Sequence, residues 1–156
     1  MAKQKTISKD IPLAEITLRR YEKPSNLNER ELIRKLCLSL GLLQPGDSRD
    51  VIVDIFYVLL KAKKEQKNLT SEEICLQVIE ERKMQKMTML GIASSNIRRQ
   101  LKRLKDLMLL EKRLNAYRLI EHNTLAEIYE EKIERILLPS MNSRIKEYLK
   151  KIDDTI

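Results

Sequence analysis

A change of period between residues 94 and 120 constrains this chain more than any other feature. In the run SSNIRRQLKRLKDLMLLEKRLNAYRLI, Ile97, Leu101, Leu104 and Met108 follow one another at spacings of four, three and four, which is a single buried stripe of a helix. Arg98, Arg99, Lys102, Arg103 and Lys105 fall off that stripe, and Ser94 or Ser95 stands where an N-cap is expected. Residues 109–113 then read as a strand. Leu114, Asn115 and Ala116 make a turn in which Asn115 tolerates positive φ, and residues 117–120 return as a second strand. The rest of the chain reads as support for this helix and hairpin, or as a means of pairing two copies of them.

The preceding segments supply a helical core. Three Gly and four Pro leave little punctuation, so the chain is predicted to be mostly helical. Residues 1–10 read as a polar, basic, frayed tail. The pattern IPLAEITLRRYEK, residues 11–23, places Ile16, Leu18 and Tyr21 in an extended, strand-like segment that Pro24 closes. Asn26 or Asn28 caps a helix with Leu32, Leu36 and Leu40 on one stripe and Ile33 and Cys37 beside it. After residues 42–46, Asp47 or Ser48 caps the most hydrophobic helix, whose broad face holds Val51, Ile52, Ile55, Phe56, Leu59 and Leu60. Thr70 with Glu73 three residues on forms a capping box for a helix with Ile74, Cys75, Val78 and Ile79 inward.

The interval 82–93 is too long for the turn of about four residues in a compact helix-turn-helix, and reads as a lengthened helix or a loop. Its Met84, Met87 and Met89 are expected to fill an irregular core gap. After the hairpin, Asn123 or Thr124 caps a helix holding Leu125, Ile128, Tyr129, Ile133, Ile136 and Leu137. Pro139 is predicted to stop it, and Ser140 to start a last helix with Met141, Ile145, Tyr148, Leu149 and Ile152. Neither is able to stand alone, so each must pack on the domain or on a partner.

Charge singles out the same central stretch. The formal net charge is +8; residues 94–118 carry eight basic against two acidic groups, whereas residues 36–93 balance at eight each. The other excess lies in residues 1–35, and residues 119–156 are slightly acidic. A local basic field suits a polyanion. At 42% hydrophobic and 35% charged residues the chain is globular, and its length suits one domain with appendages. Cys37 and Cys75, far apart at apolar helical positions, read as reduced core residues. With no signal-peptide run and no long apolar segment, the chain is expected to be soluble and cytoplasmic, without membrane contact. Abundant Lys, Arg, Glu, Ile and Leu with no Trp hints at a thermophile.

The run IRRQLKRLKDLMLLEKR resembles the recognition helix and wing of archaeal and bacterial winged helix-turn-helix regulators of the ArsR and MarR type, over about residues 48–120. Met108 stands where such proteins often have Gly before the first wing strand. The resemblance implies a mostly α fold with a small β-hairpin wing: an N-terminal extension over 1–46, a winged helix-turn-helix domain over 47–120 and C-terminal helices over 121–156. It further implies sequence-specific binding of double-stranded DNA by a homodimeric transcriptional regulator, with residues 124–152 or 11–43 as dimer elements. Asn96, Arg98, Arg99, Gln100 and Arg103 have base-reading chemistry. Ser94 and Ser95 suit a phosphate at the helix start, Lys102 adds charge, and Lys112, Arg113 and Arg118 of the wing suit the minor groove or phosphates.

Other chemistries find little support. The ArsR-type cysteine metal motif is absent, and a lone His122 reads as capping or solvated. Asp47, Asp50 and Asp54 read as cap and surface groups rather than a cation site. No nucleophilic triad or phosphate loop occurs, and one His leaves acid–base catalysis short of candidates, so no enzyme, cofactor, metal or small-molecule effector is indicated. The rival readings are a winged-helix module that binds protein within a transcription, replication or chromosome-maintenance assembly, and a binder of RNA or of nucleic acid without sequence preference. Five Tyr and one Phe are too few for a base-stacking surface.

Overall fold

The computed structural model describes residues 10–156, so most of the stretch read as a frayed tail lies outside the described residues. The chain is mostly helical with one small antiparallel sheet. In order come α1 (Glu29–Ser39), α2 (Val51–Lys64), β1 (Leu69–Thr70), α3 (Ser71–Met84), α4 (Ser94–Asp106), β2 (Leu110–Arg113) and β3 (Ala116–Leu119). A helical turn over Ile120–His122 leads to α5 (Leu125–Ile128), a π-helical stretch over Tyr129–Leu137 and α6 (Leu138–Thr155). The sheet order is β1-β3-β2.

The hydrophobic helix α2 is the centre, as its composition requires. Val51, Ile52, Val53, Ile55, Phe56, Val58 and Leu59 are all buried, and α2 packs against α1, α3, α4 and β3. One buried cluster joins it to Ile33, Cys37 and Leu43 before residue 47 and to Ile128, Ile133 and Leu137 after residue 120. Burial holds the Cys37 thiol protonated, its pKa pushed up to about 12.

Several local expectations are corrected. On α1 Ile33, Cys37 and Leu38 are buried, as is Leu40 just past its end, and Leu36 packs partly buried against the core, so of the expected face Leu32 alone is exposed. Asn28 makes the cap, reciprocated by Glu31. Residues 11–23 form no strand, because no edge pairs with them. One backbone bond, from Arg19 N–H to Ser39 O at 2.9 Å, and the Arg19 guanidinium on the Leu38 and Leu43 carbonyls hold the segment instead. The segment crosses tightly over Gly41 (φ +70), where a Cβ would come within 2.4 Å of Thr17 Cβ.

Two of the three aspartates, Asp50 and Asp54, are not cap and surface groups, while Asp47 stays in the loop and accepts from the Arg49 N–H at 3.1 Å. Helix α2 starts after Asp50 without a side-chain cap, because that carboxylate is spent elsewhere: Asp50 and Asp54 are buried and face Arg30, Arg34 and Arg82. Arg82, only 2% exposed, pairs with Asp54, lies 3.6 Å from Asp50 and donates from Nε to Thr88 O at 2.7 Å. The cluster therefore ties α1, α2 and α3 to the irregular interval. That interval is a loop from residue 85 to 93. Met84 is exposed and Met87 and Met89 are only half-buried, so the methionines do not fill a core gap.

The Thr70–Glu73 capping box forms as read. Leu69 and Thr70 also add a two-residue strand against Tyr117 and Ala116, too short to leave any periodicity in the sequence. The hairpin pairs Leu110 with Leu119 and Arg113 with Ala116. Leu114 (φ 48) and Asn115 (φ 68) form the two-residue turn, both in the left-handed region that type I′ hairpins demand. Leu114 is fully exposed, so Leu114→Asn removes no packing and is expected to stabilise by about 0.5–1 kcal/mol. A rise in thermal midpoint of roughly 2–4 °C per kcal/mol checks this, and an unchanged or lower midpoint contradicts it.

Pro139 does not stop the last helix. The chain stays helical from Leu125 to Thr155, and the π stretch is the reason: the Leu138 N–H reaches back to Ile133 O, five residues away. The widened turn displaces the carbonyl that the proline ring would otherwise meet, and Pro139 enters at the second position of α6, where its missing N–H costs little. Among the described residues no helix is long and apolar enough to cross a membrane.

Candidate nucleic-acid interface

Helix α4 is built as its stripe requires, with Ile97, Leu101 and Leu104 fully buried. Met108 lies beyond the helix with φ 65, so the reversal into β2 is sharp even without glycine. Neither Ser94 nor Ser95 is the N-cap. Ala93 takes that position and no side chain caps it, because the loop is closed from inside the helix by Asn96 Nδ2, which donates to Gly91 O at 2.8 Å. Both serines sit exposed in the first turn, where the backbone N–H groups have no side-chain acceptor.

The polar residues of α4 divide into two sets that the linear sequence does not separate. Asn96, Gln100 and Arg103 are half-buried and bonded to one another: Gln100 Nε2 donates to Asn96 Oδ1 at 3.2 Å, and Arg103 donates to Gln100 Oε1 at 2.8 Å. Arg103 also donates to Gly41 O at 3.3 Å, which ends the ladder on the chain after α1. These three residues brace the helix against the loops around Gly41 and Gly91. Ser95, Arg98, Arg99, Lys102 and Lys105 are exposed. Among the described residues Arg98, Arg99 and Lys105 have no ion-pair partner, while Lys102 pairs with Asp106 at 2.9 Å across solvent. Such an exposed pair is worth little and yields readily to a competing anion.

The hairpin divides in the same way. Lys112 and Arg113 are exposed, Lys112 lying 5.5 Å from the ring centre of its cross-strand neighbour Tyr117. Arg118 is turned inward, and its Nε donates to Glu111 at 2.5 Å. Burial opposes ionisation of Glu111, but Arg118, the Glu121 N–H and Arg113 outweigh it and hold the carboxyl below its usual range. His122 caps no helix. It is half-buried in the turn after β3, its Nδ1 has no partner among the described residues, and burial with the nearby Arg118 charge lowers its pKa. Thr124 caps α5.

One residue from outside the helix and hairpin joins this surface, and Lys105 extends it. Arg49, exposed on the loop before α2, lines with Arg99, Asn96 and Gln100 a groove of about 470 Å³ along one flank of α4. Its only sequence signal was a lone cation beside a turn. Lys105 lies on the other flank, one turn beyond Lys102 and two beyond Arg98. The described residues hold no group of three or more His, Cys, Asp or Glu side chains able to bind a metal ion. Comparisons of the chain with protein-family models, with curated proteins and with solved structures return no match.

Proposed function

We propose that this protein is a winged helix-turn-helix regulator that binds double-stranded DNA in a sequence-specific manner as a homodimer, α4 being the recognition helix and β2–β3 the wing. What supports the reading is one exposed cationic surface: Arg98, Arg99, Lys102 and Lys105 on the helix and Lys112 and Arg113 on the hairpin that follows it, with no acidic side chain among them except Asp106 and the inward-turned Glu111. The helix start offers N–H groups to a phosphate beside Ser94 and Ser95. Asn96, Gln100 and Arg103 take the role of a brace that fixes the rotation of the helix, and Arg98 and Arg99 are left as the base readers. Arg118 orients the wing through Glu111 rather than contacting phosphate.

The test is fluorescence anisotropy with labelled duplex DNA across a salt series. If the four exposed cations not assigned to bases, Lys102, Lys105, Lys112 and Arg113, each meet a phosphate, affinity falls on the order of a hundredfold between about 50 and 200 mM salt. No binding to duplex at low salt overturns the reading. A second reading, in which the same fold binds a protein, draws on Leu114, a fully exposed leucine at the hairpin tip. It requires binding that is nearly independent of salt and lost in Leu114→Asn.

A further inference from the structure

The last helix leaves the body of the protein. Helix α6 packs chiefly on the π-helical stretch before it, and from residue 142 onward every residue is exposed. Yet it is not polar all round. Leu138, Met141, Ile145, Tyr148 and Ile152 step by three and four residues in turn, the seam of a two-stranded coiled coil, with Leu149 beside them. Leu138 and Met141 are half-buried against the core, and the same stripe then runs on bare: Ile145 is 58% exposed, Tyr148 66%, Leu149 55% and Ile152 52%. A single helix of 18 residues with its apolar side in water is only marginally stable, so the stripe calls for a cover.

We propose that α6 pairs in parallel with α6 of a second copy of this chain, and that this seam is the dimer interface. The charges decide both the occupant and the direction. Arg144 with Glu147 and Lys150 with Asp154 pair within the helix, which leaves the seam itself free of charge. One edge of the seam carries Arg144 and Lys151; the other carries Asn142, Leu149 and Ile156. In a parallel pair each cationic edge meets the partner's largely apolar edge, and the Arg and Lys stems lie over Leu149 and Ile156. In an antiparallel pair the two cationic edges face each other and repel. Branched Ile145 and Ile152 fall at the positions where β-branched residues favour two parallel strands.

The seam from Leu138 to Ile152 is about 21 Å long, short of the area of a standard stable interface, so association is expected in the micromolar range. This deepens the homodimer part of the proposed function, but it is measured without DNA, so its failure is distinct from failure of DNA binding. Sedimentation velocity of the full chain from about 1 to 200 µM should shift from 18.4 kDa towards twice that mass. Ile145→Glu combined with Ile152→Glu should stay monomeric at the highest concentration while keeping the thermal unfolding of the body, since both residues are more than half exposed. In a Cys75→Ser background, Ile152→Cys should oxidise to a symmetric interchain disulfide, which only the parallel arrangement allows. A wild-type chain monomeric throughout, a double variant that still dimerises, or a dimer that Ile152→Cys does not cross-link overturns the proposal.

Discussion

Asp54→Ala is expected to lower stability by about 3–5 kcal/mol, the largest effect of any single substitution outside the apolar core. Asp54 is 3% exposed and accepts from both Arg30 and Arg82. Its removal leaves the Arg82 guanidinium, 2% exposed, with Asp50 at 3.6 Å as its remaining counter-charge. A buried cation left in that state costs far more than the pair contributes when intact, because the desolvation cost is no longer offset. Urea denaturation should show a lower midpoint with an unchanged slope, and the thermal midpoint should drop by roughly 6–20 °C. Asp54→Leu combined with Arg82→Met removes both charges and is expected to recover most of the loss. A cost below about 1 kcal/mol for Asp54→Ala would mean that water reaches the cluster and screens it.

Arg99→Ala is expected to reduce discrimination between target and unrelated duplexes by about 1–3 kcal/mol, roughly 5- to 150-fold, with folding stability unchanged. Arg99 is exposed, has no ion-pair partner among the described residues and borders the groove that Arg49 also lines. Lys112→Ala should weaken all duplexes alike and reduce the salt slope by about one. Gln100→Ala separates reading from bracing: Gln100 sits between Asn96 and Arg103, so its loss should cost about 0.5–1.5 kcal/mol of stability and affect DNA only through the helix. Competition binding against a selected sequence, together with denaturation of each variant, distinguishes these outcomes. If Arg99→Ala and Lys112→Ala behave identically, the assignment of base and phosphate contacts is wrong. If Gln100→Ala loses discrimination without losing stability, the ladder is opened on binding and its members read bases.

Much of the architecture was legible because it rests on periods and caps. Ile97, Leu101 and Leu104 announced α4 and its buried face, Thr70 with Glu73 announced the start of α3, and the apolar run from Val51 announced the central helix. Asn115 announced the hairpin turn, though the companion residue at positive φ is Leu114, which no turn preference points to. The misses share a cause. Pro139 reads as a stop because a proline clashes one α turn back, and nothing in the residues signals that the preceding turns are π-wide. Asp50 and Asp54 looked like surface groups because their partners Arg30 and Arg82 lie 24 and 28 residues from Asp54 along the chain.

The candidate surface follows the same division. Its basic residue types and their stretch of chain were set by composition and helical period, which are local properties of 25 residues. Which of those side chains are free was decided by contacts from outside the stretch: Gly41 accepting from Arg103 and Gly91 from Asn96. Helical period distinguishes a buried stripe from everything off it, but the flank of a helix that meets a neighbouring loop carries the same polar residues as the flank that meets water. The sequence therefore determined that α4 is a basic amphipathic helix followed by a hairpin. Only the tertiary structure divided its polar side chains into a brace and an open cationic face, because a hydrogen bond between residues 62 apart depends on how the chain packs and leaves no trace in either local pattern.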